Sequence, residues 1–246
     1  MMKKPSLKIL VADDHPFIRR VIVEALKDLK EVEFSEVADG AEALVCLGVI
    51  MEDSFPANGS LPSDDTFFIG RSDVDCLVTD FNMPGINGLH LLRMIRANLT
   101  AVRYDLPVIM VTGFDDSSLI AAALELDVNA FVTKPVAKAS LIERIHDGLQ
   151  SSAVTKTPAE YAAVTVPDLA EHSPREEQAP SGLAQSAEAK EGIDVSMLRA
   201  GAVLSADLRG ADGRLLLSKG SVLSESTIKR LQELEAVTGI RNVAVT

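Results

Sequence analysis

The chain reads as an α/β protein: a doubly wound parallel sheet followed by a small α+β domain. Three observations carry this reading. Strand-like apolar runs and helix-like 3.6-residue periods alternate five times between residues 7 and 150. The runs are continuously apolar rather than alternating, as strands covered on both faces must be. Finally, aromatic residues make up only 4% of the 246-residue chain and Trp is absent, while 47% is hydrophobic. The core must be built from Val, Leu, Ile and Ala, which suits a layered α/β fold better than an all-β sandwich. This length accommodates two ordinary domains.

Leu7–Ala12 is the first strand, LKILVA. Ile18, Ile22, Ala25, Leu26 and Leu29 then fall on one helical face. A weaker strand is predicted at 33–38 and a helix at 41–50. Residues 76–79 are the next buried strand, followed by a helix over 89–97. Pro107 opens a fourth strand, Val108–Thr112, with a helix over 117–126. Ala130–Thr133 is the fifth strand and 139–150 the last helix. Strand–helix alternation implies parallel pairing with right-handed crossovers but leaves strand order open.

Residues 51–72 break the rhythm. They are long for a connection that usually takes ~2–6 residues, and their Pro, Gly, Ser and Asp content predicts a loop insertion. Phe67, Phe68 and Ile69 are too apolar for full solvation and are expected to pack back on the domain. The first domain thus spans 1–150. Residues 151–192 lose periodicity and are rich in Ser, Ala, Pro, Glu and Thr, the composition of a disordered acidic linker. Periodicity returns over 193–246: a strand at 203–208, a turn at Gly210 to Gly213, a returning strand at 214–217 and a turn at Lys219–Gly220. Ser224 is placed to cap a helix through Ile228, Leu231 and Leu234, and 242–246 reads as a final edge strand. So small a unit calls for dimerisation or docking to be stable.

The polar residues at the strand ends carry the chemistry. Asp13 and Asp14 follow the first strand, Asp80 closes the third, Thr112 closes the fourth and Lys134 follows the fifth. In an open parallel sheet the carboxyl ends share one edge, where ligands bind. Three converging carboxylates repel one another unless a cation neutralises them. An all-oxygen set suits Mg²⁺, which binds through a few carboxylates plus phosphate oxygens. Carboxylate, metal, Lys and Thr together point to phosphoryl transfer onto an aspartate, giving an acyl phosphate. An acidic pair after a strand is a common helix cap and a lone Lys is usually a surface residue, so it is the joint placement that argues.

The stretches Val11-Ala-Asp-Asp-His-Pro16, Asp80-Phe-Asn-Met-Pro-Gly85 with Asn87-Gly88, Val111-Thr-Gly113 and Phe131-Val-Thr-Lys-Pro135 resemble the receiver domain of bacterial two-component response regulators. The resemblance covers residues 7–150. It implies a flavodoxin-like (βα)5 fold with strand order 2-1-3-4-5. It implies Asp80 as phosphoacceptor for a sensor histidine kinase or phosphotransfer protein. Mg²⁺ would be held by Asp14, Asp80 and the Asn82 main-chain carbonyl, with Asp13 acting through water. Thr112 and Lys134 would bind phosphoryl oxygens, Thr112 and Phe131 would form the switch, and the bond before Pro135 would be cis. Beyond Mg²⁺-dependent self-phosphorylation from a donor and autodephosphorylation, no enzymatic activity is expected. Phe114 stands where a polar residue in such domains helps orient a hydrolytic water; a phenyl ring cannot, which predicts a long-lived phosphoryl group. The 51–72 insertion departs from the family's short connection.

Residues 193–246 resemble the strand-rich module found ahead of HD-GYP phosphodiesterase domains. No His-Asp pair or Gly-Tyr-Pro motif follows, so that activity is not implied. Arg199, Arg209, Arg214, Lys219, Lys229, Arg230 and Arg241 face Asp194, Asp207, Asp212, Glu225, Glu233 and Glu235, a near balance without a helix-turn-helix pattern. The whole chain carries a formal charge of −12, which argues against nucleic acid and anionic lipid as partners. The expectation is a protein-interaction or homodimerisation module acting on an unidentified output partner. A DNA-binding transcriptional regulator and a regulatory subunit of cyclic-di-GMP signalling are the alternatives. Without an apolar leader or a run of ~18 apolar residues, the protein is expected in the cytoplasm without membrane insertion. Cys46 and Cys76 are expected there as buried free thiols.

Overall fold

The computed structural model describes residues 6–51, 67–113, 117–150, 154–167, 192–210 and 215–246. Strands β1 (Leu7–Ala12), β2 (Val32–Val37), β5 (Cys76–Asp80), β6 (Val108–Thr112) and β7 (Ala130–Thr133) form one parallel sheet. Its order is β2-β1-β5-β6-β7. This is the expected 2-1-3-4-5 arrangement, renumbered because the insertion contributes two strands of its own. Helices α1 (Pro16–Leu26), α2 (Gly40–Cys46), α3 (Gly88–Arg96), α4 (Ser117–Glu125) and α5 (Lys138–Gln150) connect the strands and cover both faces.

The period-2 geometry of a strand divides the core in two. Ile9, Val11, Cys76, Val78, Ile109, Val111, Ala130 and Val132 point to one face, against Ile22 and Leu26 of α1 and Leu141 and Ile145 of α5. Leu10, Ala12, Leu77, Val108, Met110 and Phe131 point to the other, against α2, α3 and α4. Continuous apolar runs are needed because both faces are covered. β2 is weaker for the opposite reason: it is an edge strand and four of its six residues are exposed. Cys76 is fully buried, and burial pushes its thiol up to about 12. Cys46 is only half-buried, because it closes α2 near the surface.

Three sequence expectations change. The helix read over 41–50 stops at Cys46, and β3 (Val49–Met51) pairs antiparallel with β4 (Phe67–Ile69). The ends of the insertion are therefore a two-stranded ribbon; Gly48, at φ +83°, makes the turn into it. Ile69 is half exposed rather than packed inward, and residues 52–66 lie outside the described residues. Second, the disordered-linker reading of 151–192 does not hold for residues 154–167; residues 151–153 lie outside the described residues. Helix α6 (Pro158–Ala162) begins with Thr157, whose side chain accepts from the Glu160 N–H while Glu160 reaches back to Thr157. Tyr161 is fully buried, and its hydroxyl donates to Asp127 Oδ2 at 2.6 Å. Residues 168–191 lie outside the described residues. Third, the single strand predicted at 203–208 is mostly irregular: Val203 and Leu204 make isolated bridges and only its end enters β9.

The C-terminal part contains β8 (Ile193–Asp194), β9 (Leu208–Arg209), β10 (Leu215–Leu217), α7 (Glu225–Glu233), α8 (Glu235–Thr238) and β11 (Asn242–Val243). β9 pairs with β10 and β8 with β11, both antiparallel. Ser224 caps α7 as expected, accepting from Thr227 N–H at 3.0 Å. The part is not separate from the sheet. Leu216, Leu231 and Leu234 join the same apolar cluster as Ile120, Leu124 and Phe131, so α7 rests on β7 and β10 on α4.

Candidate functional site

Parallel pairing gathers the strand ends at one edge of the sheet. Register sets Asp80 beside Val111 and Thr112 beside Thr133. Asp13 and Asp14 lie just past the end of β1, and Lys134 just past the end of β7. Lys134 N–H donates to the Thr112 carbonyl at 2.8 Å, which fixes where its side chain starts. The Lys134–Pro135 peptide bond is cis.

Asp13, Asp80 and Lys134 are in contact. Lys134 Nζ lies 2.9 Å from Asp80 Oδ1 and 3.4 Å from Asp13 Oδ2. Asp80 Oδ1 also accepts from Phe81 N–H at 2.8 Å. Asp13 is fully buried; its Oδ1 accepts from His15 N–H at 2.8 Å, and Arg19 Nη1 donates to its carbonyl at 2.7 Å. Asp14 is part-exposed, 2.7 Å from His15 Nδ1. Burial holds the Asp13 carboxyl above its ordinary pKa, and the Asp80 charge beside it adds to that; Lys134 only partly offsets them. Burial works against the Lys134 charge, but its bonds to Asp80 and then Asp13 outweigh it and raise the ammonium's pKa.

This pocket is short of positive charge. Two buried carboxylates share one ammonium, and Asp13 Oδ2 has no hydrogen bond. Asp13, Asp14, His15 and Asp80 each offer a ligand atom within a span of 4.8 Å. The donors are mostly carboxylate oxygens, the set a hard divalent cation prefers. A cation here would neutralise the pair and add a closer partner to Asp13 Oδ2, which has the Lys134 ammonium at 3.4 Å, so the residues fit Mg²⁺.

Thr112 is fully buried at the adjacent strand end, its hydroxyl donating to the Gly113 carbonyl at 3.0 Å. The Asn82 side chain is exposed. Phe131 is buried with its ring stacked on Phe81, centroids 6.3 Å apart and planes at 16°. Phe114 lies outside the described residues. Asn87 caps α3, accepting from His90 N–H at 2.9 Å. At Gly88 a Cβ would stand 2.3 Å from the Asp80 carbonyl oxygen, so only glycine lets α3 start this close to the site.

Two site residues escaped sequence reading. Phe81 stands inside the Asp80 motif without polar chemistry of its own, yet its N–H donates to Asp80 and its ring stacks on Phe131. Arg19 holds the Asp13 main chain from inside α1; its position one turn after His15 was the available signal, and alone it is weak.

The family described as the response regulator receiver domain matches residues 67–146. Chemotaxis protein CheY-3 of Vibrio cholerae serotype O1 is 32% identical over 140 residues, 57% of this chain and 89% of that protein. Chemotaxis protein CheY of Pseudomonas aeruginosa is 34% identical over 139 residues, 56% of this chain and 93% of that protein. Among solved structures, the receiver domain of sensor histidine kinase PA1611 from Pseudomonas aeruginosa, with a magnesium ion coordinated in its active-site cleft, is similar at 22% identity and a TM-score of 0.45, covering 59% of this chain and 99% of that one. The receiver domain of an HD domain-containing protein from Pseudomonas fluorescens is 20% identical with a TM-score of 0.46, covering 59% and 95%.

Proposed function

Because this chain belongs to the response regulator receiver family, we propose that it is a phosphorylation switch in which Asp80 accepts a phosphoryl group from a histidine kinase or phosphotransfer protein. The observation that carries the reading is the pocket itself: Lys134 Nζ lies 2.9 Å from Asp80 Oδ1 and 3.4 Å from Oδ2 of the buried Asp13, one ammonium between two buried carboxylates. Asp80 Oδ1 is held by Lys134 and Phe81 N–H, which leaves Oδ2 as the nucleophile. Oδ2 attacks phosphorus, an O–P bond forms, and the bond from phosphorus to the donor's imidazole nitrogen breaks, its electron pair leaving with the imidazole. Asp13, Asp14 and Asp80 would hold Mg²⁺, which supplies charge neutralisation for the phosphoryl oxygens when bound. Lys134 offers its ammonium to one of those oxygens and Thr112 its hydroxyl to another.

The output is relayed to the C-terminal module as a protein-interaction unit. Helix α7 supports this over the DNA-binding alternative. Its Ile228, Arg230 and Leu231 are buried against the rest of the chain, so that face is not presented to a groove. The test is incubation of the full chain with acetyl phosphate and MgCl₂, followed by intact mass. One phosphoryl group is expected on the wild type, and none on Asp80→Asn or with excess EDTA. Equal labelling of Asp80→Asn would overturn the reading.

A further inference from the structure

Asp127, just past the end of α4, is buried and takes a left-handed turn at φ +52°, which aspartate tolerates better than most residues. Three separate parts of the chain converge on it. From the strap formed by 154–167, the Thr155 N–H at 3.1 Å, the Thr155 hydroxyl at 2.5 Å and the Tyr161 hydroxyl at 2.6 Å all donate to its Oδ2. From α7, Arg230 Nη1 lies 3.5 Å from its Oδ1. From α3, Arg96 Nη2 donates to its carbonyl at 3.0 Å. The strap itself lies on the first domain. Helix α6 rests on α3, Arg93 Nη1 donates to the Val164 carbonyl at 3.3 Å, and Lys156 Nζ donates to the Glu125 carbonyl at the end of α4. Helix α7 is seated on β7 by Glu233, whose Oε2 accepts from Phe131 N–H at 3.0 Å and whose Oε1 lies 2.9 Å from Arg144 Nη1 of α5. Arg230 is the weak point of that seat. It is fully buried, and its Nε and Nη2 have no hydrogen-bond partner among the described residues. Burial lowers its pKa, and the Asp127 charge is the main group opposing this.

We propose that residues 154–167 are a latch for the C-terminal module: the strap sets the Asp127 carboxylate, and the carboxylate so set is what lets Arg230 of α7 be buried. The inference does not depend on the chemistry of Asp80. Three donors on Oδ2 fix the rotation of the carboxylate and leave Oδ1 to Arg230. An unpaired charge in the interior is expensive, and the attraction that offsets it grows as water is excluded. With the strap in place Asp127 is aimed and screened from water. With the strap lifted it loses its Oδ2 donors, water reaches it, and its attraction for Arg230 falls as the local dielectric rises. Arg230 then stays buried at a cost, and the docked arrangement of α7 loses stability. The module can thus be unseated from the α3–α4 side, where the strap lies, with the phosphorylation pocket unchanged.

Amide hydrogen exchange of the full chain tests the latch. Tyr161→Phe keeps the buried ring and removes one donor from Asp127 Oδ2. Residues 225–233 should exchange faster in this variant, on the order of tenfold for a coupling of ordinary size, while β1 and β5 stay as slow as in the wild type. Thr155→Ala, which removes a second donor, should act in the same direction. Arg230→Met is the control that a general loosening would not move. An apolar side chain of similar length has no need of Asp127 and is tolerated in place of a buried charge, so on this background Tyr161→Phe should leave 225–233 unchanged. Unchanged exchange of 225–233 in either Tyr161→Phe or Thr155→Ala overturns the inference. Equal acceleration by Tyr161→Phe with and without Arg230→Met overturns it too, because the strap would then act through packing alone. Tyr161→Phe introduced into Asp80→Asn should give the same acceleration; its absence there would overturn the independence from Asp80.

Discussion

Residues 7–150 and residues 193–246 bury their apolar side chains in different ways. The first region closes on itself: the strands of its five-stranded sheet run four to six residues, and both faces of that sheet are covered by its own helices. The second has strands of two or three residues. Its core is completed only where Leu216, Leu231 and Leu234 join the cluster on α4 and β7. A short strand supplies few ladder bonds, and a segment of this size buries too little of its own surface to be stable alone. One region therefore builds a site, and the other is held in place by contacts that the site's neighbours make.

Leu231→Ala strikes the comparison hardest. Leu231 is fully buried at the junction, and the loss should be about 2–5 kcal/mol. It should fall on the module alone: denaturant unfolding followed by exchange should show residues 193–246 opening early while β5 and β6 keep their midpoint. A single shared transition would mean that the two regions are one cooperative unit. Ser224→Ala removes the cap of α7 and should cost about 1 kcal/mol, visible as faster exchange at the start of α7 with phosphorylation of Asp80 retained.

A smaller effect sharpens the other side. The Asp13 pKa is raised by burial and by Asp80, so in the absence of a cation its stability contribution is full below the ordinary Asp value near ~3.9 and is lost as pH rises through the raised one. The proton then competes with Mg²⁺. Titration calorimetry should find Mg²⁺ affinity falling as pH drops through the raised Asp13 range, and Asp13→Asn should flatten that dependence.

Most of the first region was legible because its rules are local. Apolar runs of β1, β5, β6 and β7 mark buried strands, and parallel pairing then places Asp13, Asp80, Thr112 and Lys134 at one edge without further information. What was missed has identifiable causes. Val49–Met51 and Phe67–Ile69 are three-residue strands separated by a polar stretch, too short for periodicity to detect. Helix α6 is five residues long, yet its start is written in Thr157, Pro158 and Glu160: a capping hydroxyl, a proline in the first turn and a carboxylate three residues after the cap. Composition over 151–192 masked that signal. The tertiary partners of Tyr161 and Glu233 lie 34 and 102 residues away, and nothing local encodes them.

The bond from Phe131 N–H to Glu233 has a second consequence, for solubility. β7 is the outermost strand of the sheet, and an outermost strand offers backbone donors and acceptors to any extended chain that comes near. Here a carboxylate takes the position that a neighbouring strand's carbonyl would occupy, and a helix lies along the opening. A substitution that unseats α7 should therefore expose a template for strand addition, seen as self-association in light scattering.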